Sequence, residues 1–218
     1  MIFLSCLTAV AGSEFYLYLQ MKQRMKYAHL PPIIRQVMRF SETLKSTTHR
    51  LDKALVTLER MSKVESRTKE LKATIEFIAD TRVIMAQNQS AINRMVKLIT
   101  DYNAYFIKKN LNWVYHFQLF YTNRNVLNHY AALHRYLDSF HALLAYTYKN
   151  FDNITKLKSP THLKNYDEYY LRYRRSVDSH NRLNVNLVEF QNAFLLKYSD
   201  IKPYLPGKRQ TDTFRLWE

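Results

Sequence analysis

Glycine is almost absent from this chain of 218 residues, which contains only Gly12 and Gly207. An average composition of roughly 7% glycine would give about 15. Folds that need many tight turns are therefore excluded, because such turns often require glycine. The phosphate-binding loops Gly-x-x-x-x-Gly-Lys and Gly-x-Gly-x-x-Gly, and the Gly-x-Ser-x-Gly nucleophile turn, are excluded for the same reason.

Cysteine and proline are also scarce. Cys6 is the only cysteine, so the chain can form neither an internal disulfide nor a zinc site made of several thiolates. No proline lies between Pro32 and Pro160, and this interval has no glycine either. A long interval without helix breakers is typical of long, uninterrupted α-helices.

Apolar side chains and positive charge are abundant. The chain is 47% hydrophobic and 14% aromatic, which excludes a disordered chain because enough apolar surface is present to offset the entropy of folding. Thirty-three Lys and Arg residues against eighteen Asp and Glu residues give a formal net charge of +15. This excess favours anionic partners such as lipid head groups or nucleic acid.

Residues 2–19 form an apolar run with Glu14 as its only charge. As a helix with a rise of 1.5 Å per residue, the run would be ~27 Å long, close to the thickness of a bilayer's hydrocarbon core. The run therefore predicts an N-terminal transmembrane helix. Ser5, Ala9 and Ser13 recur at every fourth position, so we expect them to form a stripe of small residues where a second transmembrane helix can approach closely.

Two other interpretations of this run stay open. It is also compatible with a buried helix of a water-soluble core. A secretory signal cleaved after Ala9-Val10-Ala11 is the second alternative, although no basic residue precedes the run.

Lys22, Arg24 and Lys26 follow the apolar run directly. Since positive residues flank the cytoplasmic side of transmembrane helices, they predict that the bulk of the chain lies on the cytoplasmic or matrix side. A bacterial inner membrane or a mitochondrial inner membrane fits this topology. The three cations are predicted to bind anionic lipid head groups.

The rest of the chain shows helical periodicity between a few punctuation points. Pro31-Pro32 predicts the start of a helix, the polar stretch 65–70 predicts a boundary, and Ser159-Pro160 predicts another. A further break is expected in residues 101–112, but a helix continuous through them is the alternative. The expected apolar positions are Val37, Phe40, Leu44, Thr47, Leu51, Ala54, Leu58 and Met61, then every seventh residue from Leu71 to Leu127, then Val126, Tyr130, Leu133, Leu137, Phe140, Leu144 and Phe151.

The last predicted helix has two apolar sets separated by a register shift. The sets are Leu163, Tyr166, Tyr170, Tyr173 and Val177, followed by Leu183, Leu187, Phe190, Phe194, Tyr198 and Ile201. Pro203 and Pro206-Gly207 are expected to end this helix.

The sequence thus predicts an all-α protein with an N-terminal transmembrane helix followed by a bundle of about four long, coiled-coil-like helices. The predicted division is a membrane anchor and basic segment at 1–28, a helical bundle at 29–205 and a C-terminal tail at 206–218. Phe214, Leu216 and Trp217 of the tail are candidates for docking on a partner or on the bundle.

The best candidate for metal chemistry is His134, Asp138 and His141, which share one helix face at spacings of four and three. A di-iron bundle needs Glu-x-x-His motifs, and the sequence has none. We therefore predict that these residues are structural, that the protein is not an enzyme, and that it uses no metal and no cofactor.

Residues 166–175 interleave tyrosines with Arg172, Arg174 and Arg175, a composition that can stack bases and neutralise phosphates. The tyrosines also follow the helical period, which favours a place in the core. The three arginines are predicted binding residues in either case, since arginine is enriched at interfaces.

Together these features predict a non-catalytic, membrane-anchored accessory or stalk-like subunit that binds other protein subunits of a membrane assembly. The alternatives are a basic helical RNA-binding component of a ribonucleoprotein and a helical bundle that inserts into membranes.

Overall fold

The structure is a computed structural model that describes residues 27–62, 68–157 and 159–207. Every regular element in these ranges is helical, which confirms the all-α prediction. Four helices of 26 to 38 residues form the body, and three short helices connect them. In chain order the helices are α1 (Pro32–Ser62), α2 (Thr68–Asp101), α3 (Asn103–Lys108), α4 (Asn112–Thr122), α5 (Arg124–Lys149), α6 (Phe151–Thr155) and α7 (Pro160–Lys197), followed by a 3₁₀ turn at Ser199–Ile201.

The helices begin and end close to the predicted punctuation. α1 begins at Pro32 and α7 at Pro160, in agreement with the preference of proline for the first turn. One helix ends at Ser62 and the next begins at Thr68, while residues 63–67, which include part of the predicted polar boundary, lie outside the described residues. α1 packs on α2, α2 on α5, and α5 on α7, so that consecutive long helices are antiparallel neighbours.

The predicted apolar positions of α1 are largely correct. Val37, Leu44, Leu51 and Leu58 are buried at intervals of seven, and Thr47 and Ala54 fill the second set. On α2 the row from Leu71 to Ile99 is likewise buried. The second buried row of α2 lies three residues after the first, at Thr74, Thr81, Asn88 and Met95. Arg82 and Gln89, which lie four residues after members of the first row, are only partly buried.

The helix is interrupted three times between α2 and α5, at Tyr102, at residues 109–111 and at Asn123. Asn110 has a positive φ of 57° between α3 and α4, a conformation that asparagine tolerates better than most residues. The side chain of Asn123 caps α5 by accepting a hydrogen bond of 2.9 Å from the backbone N–H of Asn125. Because this break resets the helical phase, Val126 is buried and Leu127, predicted to be in the core row, is 53% exposed.

The register shift predicted in the last helix is wrong. α7 buries one continuous row that passes through two polar residues, His180 and Asn184. A pattern made of apolar residues alone skips both positions and so predicts a shift that the helix does not have. The complete row is Tyr173, Val177, His180, Asn184 and Leu187.

α7 ends at Lys197, before Pro203. The chain then turns back and buries Ile201 and Leu205 against the bundle. The Ser41 hydroxyl donates a hydrogen bond of 2.8 Å to the carbonyl of Tyr204, whose ring stacks on Trp113 with centroids 3.9 Å apart. This C-terminal turn therefore belongs to the core.

The core divides into two apolar clusters. The α3-end cluster joins the first turns of α1, the end of α2, α3, α4 and the C-terminal turn: its buried residues are Val37, Leu44, Ala91, Ile92, Met95, Ile99, Phe106, Val114, Phe117, Phe120, Tyr121, Val126, Leu187, Ile201 and Leu205. The opposite-end cluster joins the four long helices alone: it contains Leu51, Leu55, Leu58, Ile78, Met85, Leu133, Tyr136, Leu137, Phe140, Leu143, Tyr173 and Val177.

Within the described ranges, no helix has both the length and the apolar character needed to cross a membrane. The predicted anchor at residues 2–19 lies outside the described residues, as do Ser5, Ala9, Ser13, Lys22, Arg24, Lys26 and the aromatic residues of the tail. The anchor therefore stays a prediction.

Candidate interaction surfaces and the polar interior

Arg172, Arg174 and Arg175 are all exposed on α7. They lie away from the buried row of that helix, which faces α5. The guanidinium of Arg172 lies 5.9 Å from the centroid of the Tyr169 ring, a cation–π distance. In the part of the chain that the structure describes, none of the three arginines forms a salt bridge, so their charge is available to an acidic partner.

The tyrosines that alternate with these arginines differ in burial. Tyr173 is buried and stacks on Phe140 with centroids 4.9 Å apart, whereas Tyr170 is 42% exposed. Tyr166 lies between these extremes and stacks on Tyr170 at 6.3 Å. Burial, with Tyr170 and Asp167 nearby, raises the pKa of Tyr166, so its phenol stays protonated at neutral pH. One tyrosine of the three therefore belongs to the core, and one is available at the surface.

α7 also exposes apolar side chains on the face opposite its buried row. Leu171, Val185 and Leu196 are exposed there, and Leu196 is the most exposed at 88%. Their separations of fourteen and eleven residues are close to whole numbers of helical turns, which places them on one face. Arg175 and Arg182 lie on the same face. The outer face of α7 thus combines apolar and basic residues, a composition found at protein interfaces.

Two of the three candidates for metal binding, His134 and Asp138, contact α2. Asp138 accepts a hydrogen bond of 2.5 Å from the guanidinium of Arg82, and His134 contacts the Gln89 side chain at 3.2 Å. The pKa of His141 is lowered, first by burial and then by Arg82, while Asp138 acts in the opposite direction. Among the residues that the structure describes, no three His, Cys, Asp or Glu side chains form a group that fits a metal ion.

A layer of polar side chains lies between the two apolar clusters. Asn88 of α2 is its best-connected member: its amide donates to the hydroxyls of Thr47 at 2.8 Å and Thr48 at 3.0 Å, and its carbonyl accepts from the hydroxyl of Tyr130. Thr47 in turn donates to the backbone carbonyl of Thr43 at 2.8 Å. This network links α1, α2 and α5, and it satisfies the polar groups that it buries.

Four further polar residues extend this layer towards α7. Asp52, His129, His180 and Asn184 are all buried, and they line one pocket between α1, α5 and α7. The rings of His129 and His180 lie 5.2 Å apart. Sequence reasoning missed these residues because it followed apolar side chains. The spacing of four and three residues that connects Val177, His180, Asn184 and Leu187 would have revealed the two on α7.

Tyr136 departs from the hydrogen-bonded pattern of the Asn88 network. It is fully buried, and its hydroxyl has no hydrogen-bond partner among the described residues. Its ring packs on Phe140, Tyr173 and His180, with centroids 5.7 to 6.1 Å apart. Burial raises the pKa of Tyr136 well above its usual range, with smaller contributions from Tyr173 and Glu59. Tyr136 is therefore a neutral part of the core.

Comparison with protein-family models, with curated proteins and with solved structures found no match to this chain.

Proposed function

We propose that this protein is a non-catalytic accessory subunit of a larger membrane assembly. Residues 2–19 hold it in the bilayer, and the helical bundle presents its surfaces to other subunits on the cytoplasmic or matrix side. The observation that carries the proposal is the outer face of α7, a helix of 38 residues, where Leu171, Val185 and Leu196 are exposed beside arginines that form no salt bridge within the described residues.

The interior supports a structural role for the bundle. Asp138 and His134, two of the three residues that the sequence offered for metal binding, contact Arg82 and Gln89 at the α2–α5 interface. The Asn88 network joins three helices through hydrogen bonds that leave few alternative arrangements. Buried networks of this kind favour one relative placement of the helices, which suits a subunit that must present fixed surfaces.

The first experiment tests the anchor. Membranes containing the full-length chain are washed with alkaline carbonate and, in parallel, extracted with mild detergent. We expect the chain to resist carbonate and to dissolve in detergent, because only an integral segment stays with the bilayer under carbonate. Release by carbonate would contradict the anchored topology.

The second experiment tests the partner surface. After detergent extraction we expect the chain to purify with other membrane subunits in a fixed ratio, and Arg174→Glu with Arg175→Glu to release them because like charges repel across an interface. Lys69→Glu with Lys72→Glu, on the exposed start of α2, is the matched control and should leave the assembly intact. A chain that purifies alone would contradict the proposal.

RNA binding is the main competing outcome of the second experiment. If the chain purifies with RNA, and if the binding constant falls steeply with salt, the ribonucleoprotein alternative replaces the membrane assembly. The exposed Tyr170 beside Arg174 is the feature that such a complex would use.

A further inference from the structure

The connection between α2 and α4 forms an exposed tip at one end of the bundle. α3 has only six residues, and Phe106 fixes it to the bundle by burying its ring in the α3-end cluster. The residues that follow Phe106 point away from the core: Ile107 is 68% exposed, and Lys108 and Lys109 are exposed as well. The α3 tip, defined as Ile107, Lys108 and Lys109, therefore exposes a large apolar side chain beside two positive charges.

The backbone holds the α3 tip in one conformation. The N–H of Lys109 donates to the carbonyl of Tyr105, the N–H of Asn110 to that of Ile107, and the N–H of Leu111 to that of Phe106, at 3.0 to 3.1 Å. Asn110 adopts the left-handed conformation that reverses the chain. Because the tip is preorganised, its exposed residues need little additional ordering when they bind.

The charge of the α3 tip is not neutralised locally. Neither Lys108 nor Lys109 forms a salt bridge within the described ranges. Tyr102, at the start of α3, is also exposed. An exposed aliphatic side chain, adjacent lysines and a tyrosine make up the composition that protein segments use at the boundary between lipid and water.

The position of the α3 tip agrees with the predicted anchor. Ile33 and Val37, in the first turns of α1, pack in the same apolar cluster as Phe106. The chain that precedes α1 therefore joins the bundle at the end that carries the tip. Leu157, after α6, is exposed at the opposite end, next to the start of α7.

We propose that the α3 tip binds an anionic lipid surface, with Ile107 inserted among the head groups and Lys108 and Lys109 paired with lipid phosphates. The proposal rests on the proposed function, because an anchor at residues 2–19 would hold this end of the bundle at the bilayer. It adds a second point of contact, which would fix the tilt of the bundle relative to the membrane.

The test uses the full-length chain reconstituted in vesicles, with an environment-sensitive fluorophore at position 107. Cys6→Ser removes the only native cysteine, and Ile107→Cys supplies the attachment site. In vesicles containing phosphatidylglycerol we expect blue-shifted emission that nitroxide-labelled lipids quench. The matched reporter at Leu157→Cys, also exposed but at the opposite end, should keep the emission of a fluorophore in water.

Two substitutions measure the electrostatic contribution. Each lysine near an anionic surface strengthens membrane association roughly fivefold, so Lys108→Gln with Lys109→Gln should lower the ratio of bound to free tip about 25-fold. Lys69→Gln with Lys72→Gln removes the same charge at the opposite end and should leave the ratio unchanged. Raising the salt concentration should weaken the contact of the unmodified tip, since screening shortens the range of the attraction.

The outcomes separate this proposal from the proposed function. If the chain resists carbonate but the reporter at position 107 emits as in water, the anchor is supported and the tip proposal is overturned. If carbonate releases the chain but the tip still binds anionic vesicles, the anchor is overturned and the tip proposal is supported. Equal insertion into neutral phosphatidylcholine vesicles, or binding of the tip to RNA in place of lipid, would overturn the tip proposal.

Discussion

The two apolar clusters show two different ways to build a core from one chain. The opposite-end cluster contains residues of the four long helices alone, and most of its members recur with the helical period. The α3-end cluster brings together irregular elements, α3, α4 and the C-terminal turn, with the ends of the long helices. A repeating pattern suffices for the first cluster, whereas the second depends on contacts between residues that are far apart in sequence.

The polar layer separates these two clusters and has properties of both. Asn88 occupies a regular position in the second buried row of α2, yet its three hydrogen bonds reach α1 and α5. A buried amide is stabilising only where all its partners are in place. The layer therefore favours one placement of the opposite-end cluster relative to the α3-end cluster.

The largest effect is expected in the α3-end cluster, at Phe117. Its side chain is fully buried on α4, so Phe117→Ala should lower the free energy of unfolding by about 4 kcal/mol, through lost apolar burial and the cavity that remains. Chemical denaturation followed by circular dichroism measures this loss. Tyr115→Ala, on an exposed position of the same helix, should change stability by less than about 0.5 kcal/mol.

Hydrogen exchange can sharpen the comparison between the clusters with the same variant. Phe117→Ala should speed amide exchange in α4 and in the C-terminal turn more than in the part of α5 from Leu133 to Leu143, because the first two elements share a cluster with Phe117 and that part of α5 belongs to the opposite-end cluster. Uniform acceleration over the whole chain would contradict two separable clusters and indicate a single cooperative core.

A smaller effect is expected in the polar layer. Asn88→Ala removes the acceptor of the Tyr130 hydroxyl and the donor to Thr47 and Thr48, and it should cost about 2 kcal/mol of stability. Thr47 keeps its bond to the carbonyl of Thr43, which limits the loss. Gln87→Ala, one residue away on an exposed position, is the control and should have little effect; equal losses in both variants would count against the network.

Two tyrosines of α5 form a matched pair for the next prediction. Tyr130→Phe removes a hydrogen bond to Asn88 and should destabilise the protein by about 1 kcal/mol. Tyr136→Phe removes a buried hydroxyl that has no hydrogen-bond partner among the described residues, and it should be neutral or stabilising by up to about 1 kcal/mol. Thermal unfolding of both variants checks the sign, and destabilisation by Tyr136→Phe would show that its hydroxyl has a partner.

The smallest expected effect is the contribution of His141 to the pH dependence of stability. Its pKa is lowered in the folded protein, so the unfolded chain binds more protons and stability rises with pH. As pH rises, the free energy of unfolding begins to increase near the lowered pKa, and the increase is complete above the ordinary pKa of about 6.5. Because His141 is only partly buried and solvent screens its charge, we expect stability to change by only a few tenths of a kcal/mol between pH 5 and pH 8.

His141→Gln should flatten this part of the stability profile, as measured by denaturation at several pH values. Asp138→Asn is informative as a second variant, since removing a carboxylate that favours protonated His141 should make the pH dependence steeper. An unchanged profile in both variants would contradict the assigned surroundings of His141.

The sequence predicted the regular part of the fold because that part follows from local rules. Pro32 and Pro160 start helices where expected, and the rows from Val37 to Leu58 and from Leu71 to Ile99 are buried. The failures have a common cause. Leu127, His180 and Asn184 were misjudged because the phase of a helix after a break, and the burial of a polar residue, depend on the neighbouring helices.

Of the two candidate surfaces, one could be predicted from the sequence and the other could not. The exposure of Arg172, Arg174 and Arg175 follows from their place on α7 opposite a buried row, which the heptad pattern indicates. The α3 tip could not be recognised in advance, because Lys108 and Lys109 resemble any pair of exposed lysines until Phe106 is known to be buried and Ile107 to be exposed.

By itself, the sequence determined that this chain is helical, where its long helices begin and which faces of them are apolar, because periodicity and proline act over a few neighbouring residues. Only the tertiary structure decided that the C-terminal turn closes the core, that Asn88 joins three helices and that Ile107 stays in solvent. These outcomes depend on contacts between distant residues, whose packing and hydrogen bonds exist only once the helices have come together.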